Sequence, residues 1–150
     1  MYQTIYDLSK MLALAGWGLL ILSLFMCRIR RVVWPLVQFA LPAVFALMYL
    51  LMVWEGRDAL HLPASFTTLP GIGALYDNPS AFTAGWLHFL ALDMFAGAWI
   101  AQDGLVRAVP VVLLVIALLL TFVFAPAGLL LYILLRFALR PRSDGETVQH

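Results

Sequence analysis

Two side chains able to move protons, His88 and Asp93, lie within a stretch that otherwise reads as hydrocarbon. Asn78 to Asp103 is long and apolar enough to cross a bilayer, which takes about 20 mostly apolar residues. An ionised aspartate at mid-depth costs about 2.5–3.5 kcal/mol on the insertion scale, so something nearby must offset it. A carboxyl group in a dry site and an imidazole can both exchange protons near neutral pH. Together they supply a general acid and a general base. On opposite sides of a lipid-like substrate they would suit isomerisation or epoxide opening, with no cofactor.

The helical repeat constrains how the two can act. Phe82, Trp86, Phe89, Asp93, Ala96 or Gly97, and Ile100 fall on one stripe. His88 precedes Asp93 by five positions and so lies about 140° away round the helix. The two cannot bond to each other in a regular helix. Each needs a partner elsewhere, or they face a shared cavity from its two sides. The stripe is aromatic before Asp93 and small after it, which could wall a slot for a flat apolar ligand. Trp86, Phe89 and Gly97 are therefore candidate ligand contacts, joined by Thr121 and Pro126 from the last apolar segment. The structural alternative has Gly97 permitting close helix packing and Asp93 bonded to a hydroxyl such as that of Thr121.

A secondary cluster is Glu55, Asp58 and His61. Their i, i+3 spacing groups them if the second helix continues. They could form a proton or metal site, or a solvated helix end. A metal set of His61, His88 and a carboxylate has no diagnostic spacing, and no metal is expected.

These residues need elements to hold them. Of 150 residues, 64% are hydrophobic and 11% charged, where soluble domains run nearer a quarter charged. The composition indicates an integral membrane protein. No basic patch of the kind nucleic acid requires is present. Cys27 is the only cysteine, which excludes an internal disulfide and a CxxC metal site. The first apolar run lacks a signal-peptide cleavage pattern and is expected to be retained.

Four spans are expected, near Leu8–Cys27, Val32–Trp54, Phe82–Ala101 and Val109–Tyr132. The fold class is all-α, a bundle of four transmembrane helices with one longer interfacial loop between helices 2 and 3. Residues 1–140 form the domain, and 141–150 read as a polar, disordered tail. Pro42 should kink the second span, and Gln38 should bond to a neighbouring helix. Asp77-Asn78-Pro79-Ser80 is a helix start. Pro126 and Gly128 weaken the fourth span. Four full spans put both termini on one side, with Arg28, Arg30, Arg31 and Arg107 on one face and Lys10, Arg57, Arg136, Arg140 and Arg142 on the other. The positive-inside rule then gives no orientation.

A family resemblance rests on Gly71-Ile72-Gly73-Ala74-Leu75, Asp77-Asn78-Pro79, the Trp86-x-His88 to Asp93-x-Phe95 core and the Phe124-Ala125-Pro126-x-Gly128 element. Over nearly the whole chain these resemble the abscisic-acid-deficient-four-like family. Its plant members are plastid membrane proteins required to make neoxanthin from violaxanthin. The resemblance implies a membrane protein of about four spans linked to xanthophyll chemistry, in which an epoxide opens and a proton is lost to give an allene. With no evident transit peptide, the chain is closer to a bacterial branch, expected in the inner membrane. The expected partners are the bilayer and a carotenoid- or isoprenoid-like lipid, with His88 and Asp93 as acid and base. The alternatives are a small proton-coupled transporter or channel and a non-catalytic assembly factor.

Overall fold

The computed structural model describes residues 1–59 and 64–139, and these are helical nearly throughout. The longer helices are α1 (Tyr2–Phe25), α2 (Cys27–Glu55), α3 (Leu69–Tyr76), α4 (Pro79–Val106), α5 (Val111–Val123) and α6 (Ala125–Ala138). Single turns at Arg57–Ala59 and Ala64–Thr67 separate α2 from α3. Helices α1, α2 and α4 are each long and apolar enough to cross a membrane.

The turn between α1 and α2 is tight, and Arg30 closes it. Its guanidinium donates to the carbonyls of Ser23 at 2.8 Å and Leu24 at 2.9 Å, satisfying carbonyls that the end of α1 leaves free. Trp34 Nε1 donates to Ser23 Oγ at 3.3 Å. Helix α2 then accommodates two prolines. Between Pro35 and Pro42 the chain widens into a π-helical stretch, Leu36–Ala40, in which the Leu41 N–H reaches the Leu36 carbonyl. A π-turn is one of the few ways a helix absorbs such an interruption. From this stretch Gln38 accepts a hydrogen bond from Gln102 of α4 at 2.8 Å, as expected of a polar residue that ties two helices.

Helix α4 is the central element. Asn78 caps it, its side-chain oxygen accepting from Ser80 N at 2.9 Å and Ala81 N at 3.1 Å, with Pro79 in the first turn. It runs parallel to α1: Tyr6 stacks with Trp86 near one end, and the Trp17 ring covers Gly97 further on. It runs antiparallel to α2, with Tyr49 beside His88 and Gln38 bonded to Gln102. Helix α3 takes Pro70 and Gly71 into its first turn. Thr68 caps it by accepting from Gly71 N at 3.2 Å, and proline is tolerated in a first turn. Tyr76 anchors α3 on α4 at Gly85.

The expected fourth span is corrected. The chain breaks at Phe124, whose φ of −139° and ψ of 76° are not helical, and α5 and α6 fold back on each other. Gly128 lies against the Thr121 backbone so closely that even a methyl group would collide. The helices have 13 and 14 residues, so each arm is about 20 Å long at 1.5 Å per residue. A bilayer core is about 30 Å thick. The hairpin returns Arg136 to the end where α5 began. Asp103 binds both Arg107 and Arg136 there, at 2.9 and 3.0 Å, so these arginines share one end of the bundle and do not lie on opposite faces. The start of α1 and the end of α6 consequently lie at opposite ends.

Candidate functional site

Because the hairpin stops part-way, no helix among the described residues covers the α1 and α4 faces that line the space beyond its tip. A cavity of about 530 Å³ occupies that space. Helix α1 contributes Lys10, Leu14 and Trp17; α4 contributes Trp86, Phe89 and Asp93; the hairpin tip contributes Phe122, Phe124 and Pro126. The volume lies within the range of small-molecule pockets.

Asp93 sits half-buried on this wall, near the middle of α4. Its carboxyl group has no hydrogen-bond partner among the described residues. Trp86 Nε1–H is also buried without an acceptor, an uncommon state for an indole donor. The cavity thus offers one unpaired carboxyl group on an aromatic and aliphatic lining, while the Trp86 N–H is buried away from it. Lys10, also on the wall, is bonded to Asp7 at 3.3 Å and lies over the Tyr6 ring.

The other expected residues divide. Trp86 and Phe89, from the helical stripe, and Pro126, from the hairpin, line the Asp93 cavity. Gly97 does not open a slot, because the Trp17 ring fills the space a side chain would take; the packing alternative holds for it. Thr121 is fully buried inside the hairpin, where its hydroxyl donates to the Ala117 carbonyl at 2.7 Å. It neither lines the cavity nor partners Asp93.

The shared His88–Asp93 cavity is corrected as well. His88 is exposed, with its ring between Tyr49 and Phe89 at centroid distances of 6.1 and 5.9 Å. It lines a separate cavity of about 430 Å³ with Tyr49, Tyr76 and Gly85. The angular offset of five residues is the cause, since it carries the two side chains to different helix neighbours. Glu55 is exposed, and Asp58 is exposed with Arg57 4.0 Å away, which fits a solvated helix end. His61 lies outside the described residues, and with it the metal set that included it.

Sequence reasoning passed over two features. Lys10 shares a stripe with Leu14 and Trp17 at i, i+4 and i+7, so its place on the wall was available from spacing alone. The second is a polar clasp at the far end of α4. One oxygen of Asp103 accepts from the Tyr132 hydroxyl, from Arg107 Nε at 2.9 Å and from Arg136 Nε at 3.0 Å. Trp99 supports it, edge-on to Tyr132 at 5.3 Å and beneath Arg136 at 5.7 Å. The clasp fastens the last part of α6 to the end of α4 from which α5 departs.

The family model described as ABA DEFICIENT 4-like matches residues 4–132. The chain belongs to that family. No curated protein and no solved structure matches it. The matched region takes in the cavity wall, the hairpin tip and the clasp up to Tyr132.

Proposed function

We propose that this member of the ABA DEFICIENT 4-like family is an integral membrane protein. It holds one end of a carotenoid- or isoprenoid-like lipid in the cavity between α1, α4 and the hairpin tip. Asp93 then acts on that end by acid/base chemistry. The observation that carries this reading is an unpaired carboxyl group on an otherwise aromatic and aliphatic wall. Ionisable groups inside membrane helices mark functional sites as a rule. The cavity is of a size to enclose an end group and the adjoining chain, leaving the remainder of a long polyene among the acyl chains.

The chemistry is an isomerisation, with no net change of atoms or electrons. The neutral Asp93 carboxyl protonates an oxygen on the ligand, such as that of an epoxide, and the C–O bond opens. The resulting carboxylate removes a proton from carbon, and the new carbon–carbon double bond takes up that electron pair. The Trp86 and Phe89 rings supply apolar wall on which the end group packs. His88, on the other cavity, has no part in this step.

The test combines mass spectrometry of lipid co-purified in mild detergent with the Asp93→Asn and His88→Ala variants. The expected result is an enriched isoprenoid-type lipid in all three proteins. Its isomerised form should fall by about 100-fold or more in Asp93→Asn, the usual scale for loss of a general acid or base, and persist in His88→Ala. Recovery of bulk membrane lipid alone would remove the reading and favour an assembly role.

One feature favours a second reading, a proton-coupled transporter. Helices broken at mid-depth beside an ionisable group are typical of transport sites. Against it, the α4 face beyond Asp93 is packed: Met94, Ala98, Ile100 and Ala101 are fully buried. Flux into liposomes that depends on pH and on Asp93 is the result that would prefer this alternative.

A further inference from the structure

We propose that the α5–α6 hairpin is re-entrant, and that the cavity beyond its tip is loaded sideways from the non-cytoplasmic leaflet by a lipid dissolved there. The ligand part of this inference rests on the reading above; the topology does not.

The lengths argue for re-entry. Each hairpin arm of about 20 Å falls short of a hydrocarbon core about 30 Å thick. Both ends of the hairpin lie at one end of α4: α5 starts at Val111, just after the Arg107 cap of α4, and Arg136 in the last turn of α6 bonds to Asp103 at 3.0 Å. The tip reaches only the middle of α4, where Phe122 meets Trp17 at 5.6 Å and Pro126 shares the cavity wall with Asp93. Backbone ends at that depth need shelter from lipid. They find part of it within the hairpin, where the N–H groups of Ala127 and Gly128 bond to the Phe124 carbonyl at 2.9 and 3.1 Å.

Charge sets the orientation once the hairpin is recognised. The end holding the clasp also holds the α1–α2 turn, because Gln38 near the start of α2 bonds to Gln102 near the end of α4. Arg28, Arg30, Arg31, Arg107 and Arg136 therefore lie together, against Lys10 and Arg57 towards the opposite end. Positive residues flanking short loops stay cytoplasmic. The clasp end faces the cytoplasm, and the start of α1 faces outward. The tie that four full spans produce disappears.

The cavity then belongs to the outer half of the bilayer. Its rim is open to the side: Leu14, Phe89 and Phe124 are 54%, 56% and 63% exposed. These apolar faces suit acyl chains and would be costly in water. The ligand class that fits is a lipid lying among the outer-leaflet chains, which reaches Asp93 without crossing water.

Labelling with a membrane-impermeant maleimide tests this without any ligand, so a chain that binds nothing can still pass. Right-side-out and inside-out membrane vesicles carrying the full chain are compared. The native Cys27, exposed at the α1–α2 turn, should label only in inside-out vesicles. In a Cys27→Ala background, Leu139→Cys should label from the same side as Cys27, and Asp77→Cys only from the other. Leu139→Cys labelling opposite to Cys27 would mean that the hairpin crosses the membrane, and the sideways slot would not exist. Cys27 labelling from outside, or from both sides, would overturn the leaflet assignment.

Discussion

Helix α4 carries two aspartates in opposite circumstances. Asp103 gives one oxygen to a tyrosine and two arginines at the end of the bundle. Asp93, three turns earlier, bonds to nothing among the described residues and faces a cavity. A carboxylate with three donors around it is committed to structure, since any proton transfer there would first break the clasp. A carboxyl group with no donor adds little to stability and is free to act on whatever enters. The contrast separates the group that holds the hairpin from the group the hairpin exposes.

Neutralising each aspartate should therefore produce opposite phenotypes. Asp103→Asn leaves Arg107 and Arg136 without their shared anion in a partly buried site. Loss of one partner from such a cluster costs about 2–3 kcal/mol. Thermal unfolding in detergent should read this as a clear fall in Tm. Asp93→Asn should match or slightly exceed the native Tm, because the carboxyl group it replaces makes no hydrogen bond among the described residues, while product formation should be lost. Equal destabilisation by the two variants would show that Asp93 also ties helices, and the contrast would collapse.

The next test strikes the hairpin itself. Gly128 packs directly on the Thr121 backbone, and backbone cannot yield as a flexible side-chain tip can. Gly128→Ala should cost about 2 kcal/mol through overpacking. It should also splay the tip and reduce lipid retention in the cavity, although Gly128 itself does not line it. Native retention alongside reduced stability would indicate a cavity independent of the hairpin tip.

The sequence revealed the two regions unequally, for physical reasons. The membrane-length helices, the Asn78 cap and the Gln38 tie followed from composition, local capping and the cost of a polar group in oil. Asp93 stood out because its setting is local: an acid in the middle of an apolar run. Asp103 did not, because it sits at a helix end where charge is ordinary, and its partners Tyr132 and Arg136 arrive only through the turn at Phe124. Pro126 and Gly128 marked that turn as weak, but an apolar run of that length also fits one kinked span. Only the contacts of Arg136 and Gly128 distinguish a kink from a reversal. The assignment of His88 and Asp93 to one cavity failed because a helical wheel gives angles within one helix and not which neighbour covers each face.

A finer probe concerns the unpaired donor beside Asp93. Trp86→Phe removes a buried N–H that has no acceptor. Relief of that desolvation, about 1–2 kcal/mol, offsets the lost burial of the indole's second ring. The stability of ligand-free protein should stay within about 1 kcal/mol of native, whereas truncating a satisfied core aromatic costs about 3–5 kcal/mol. A loss of about 3 kcal/mol or more would mean that the indole N–H has an acceptor that Phe cannot replace.

The smallest effect lies where α4 turns into the hairpin. Ala108 has a φ of 54°, in the left-handed region, and is the only such non-glycine among the described residues. The Ala108 N–H bonds to the Leu105 carbonyl at 3.1 Å and the Val109 N–H to that of Gly104 at 2.9 Å. That pairing closes a helix with a residue that is usually glycine. A Cβ in this conformation costs about 1–2 kcal/mol, partly offset by the greater unfolded-state freedom of glycine. Ala108→Gly should therefore raise stability by about 0.5–1 kcal/mol, without changing the Asp93 cavity or the co-purified lipid. A fall in stability would mean that the Ala108 methyl group contributes packing that outweighs its strain, and that the start of the hairpin is held by more than the clasp at Asp103.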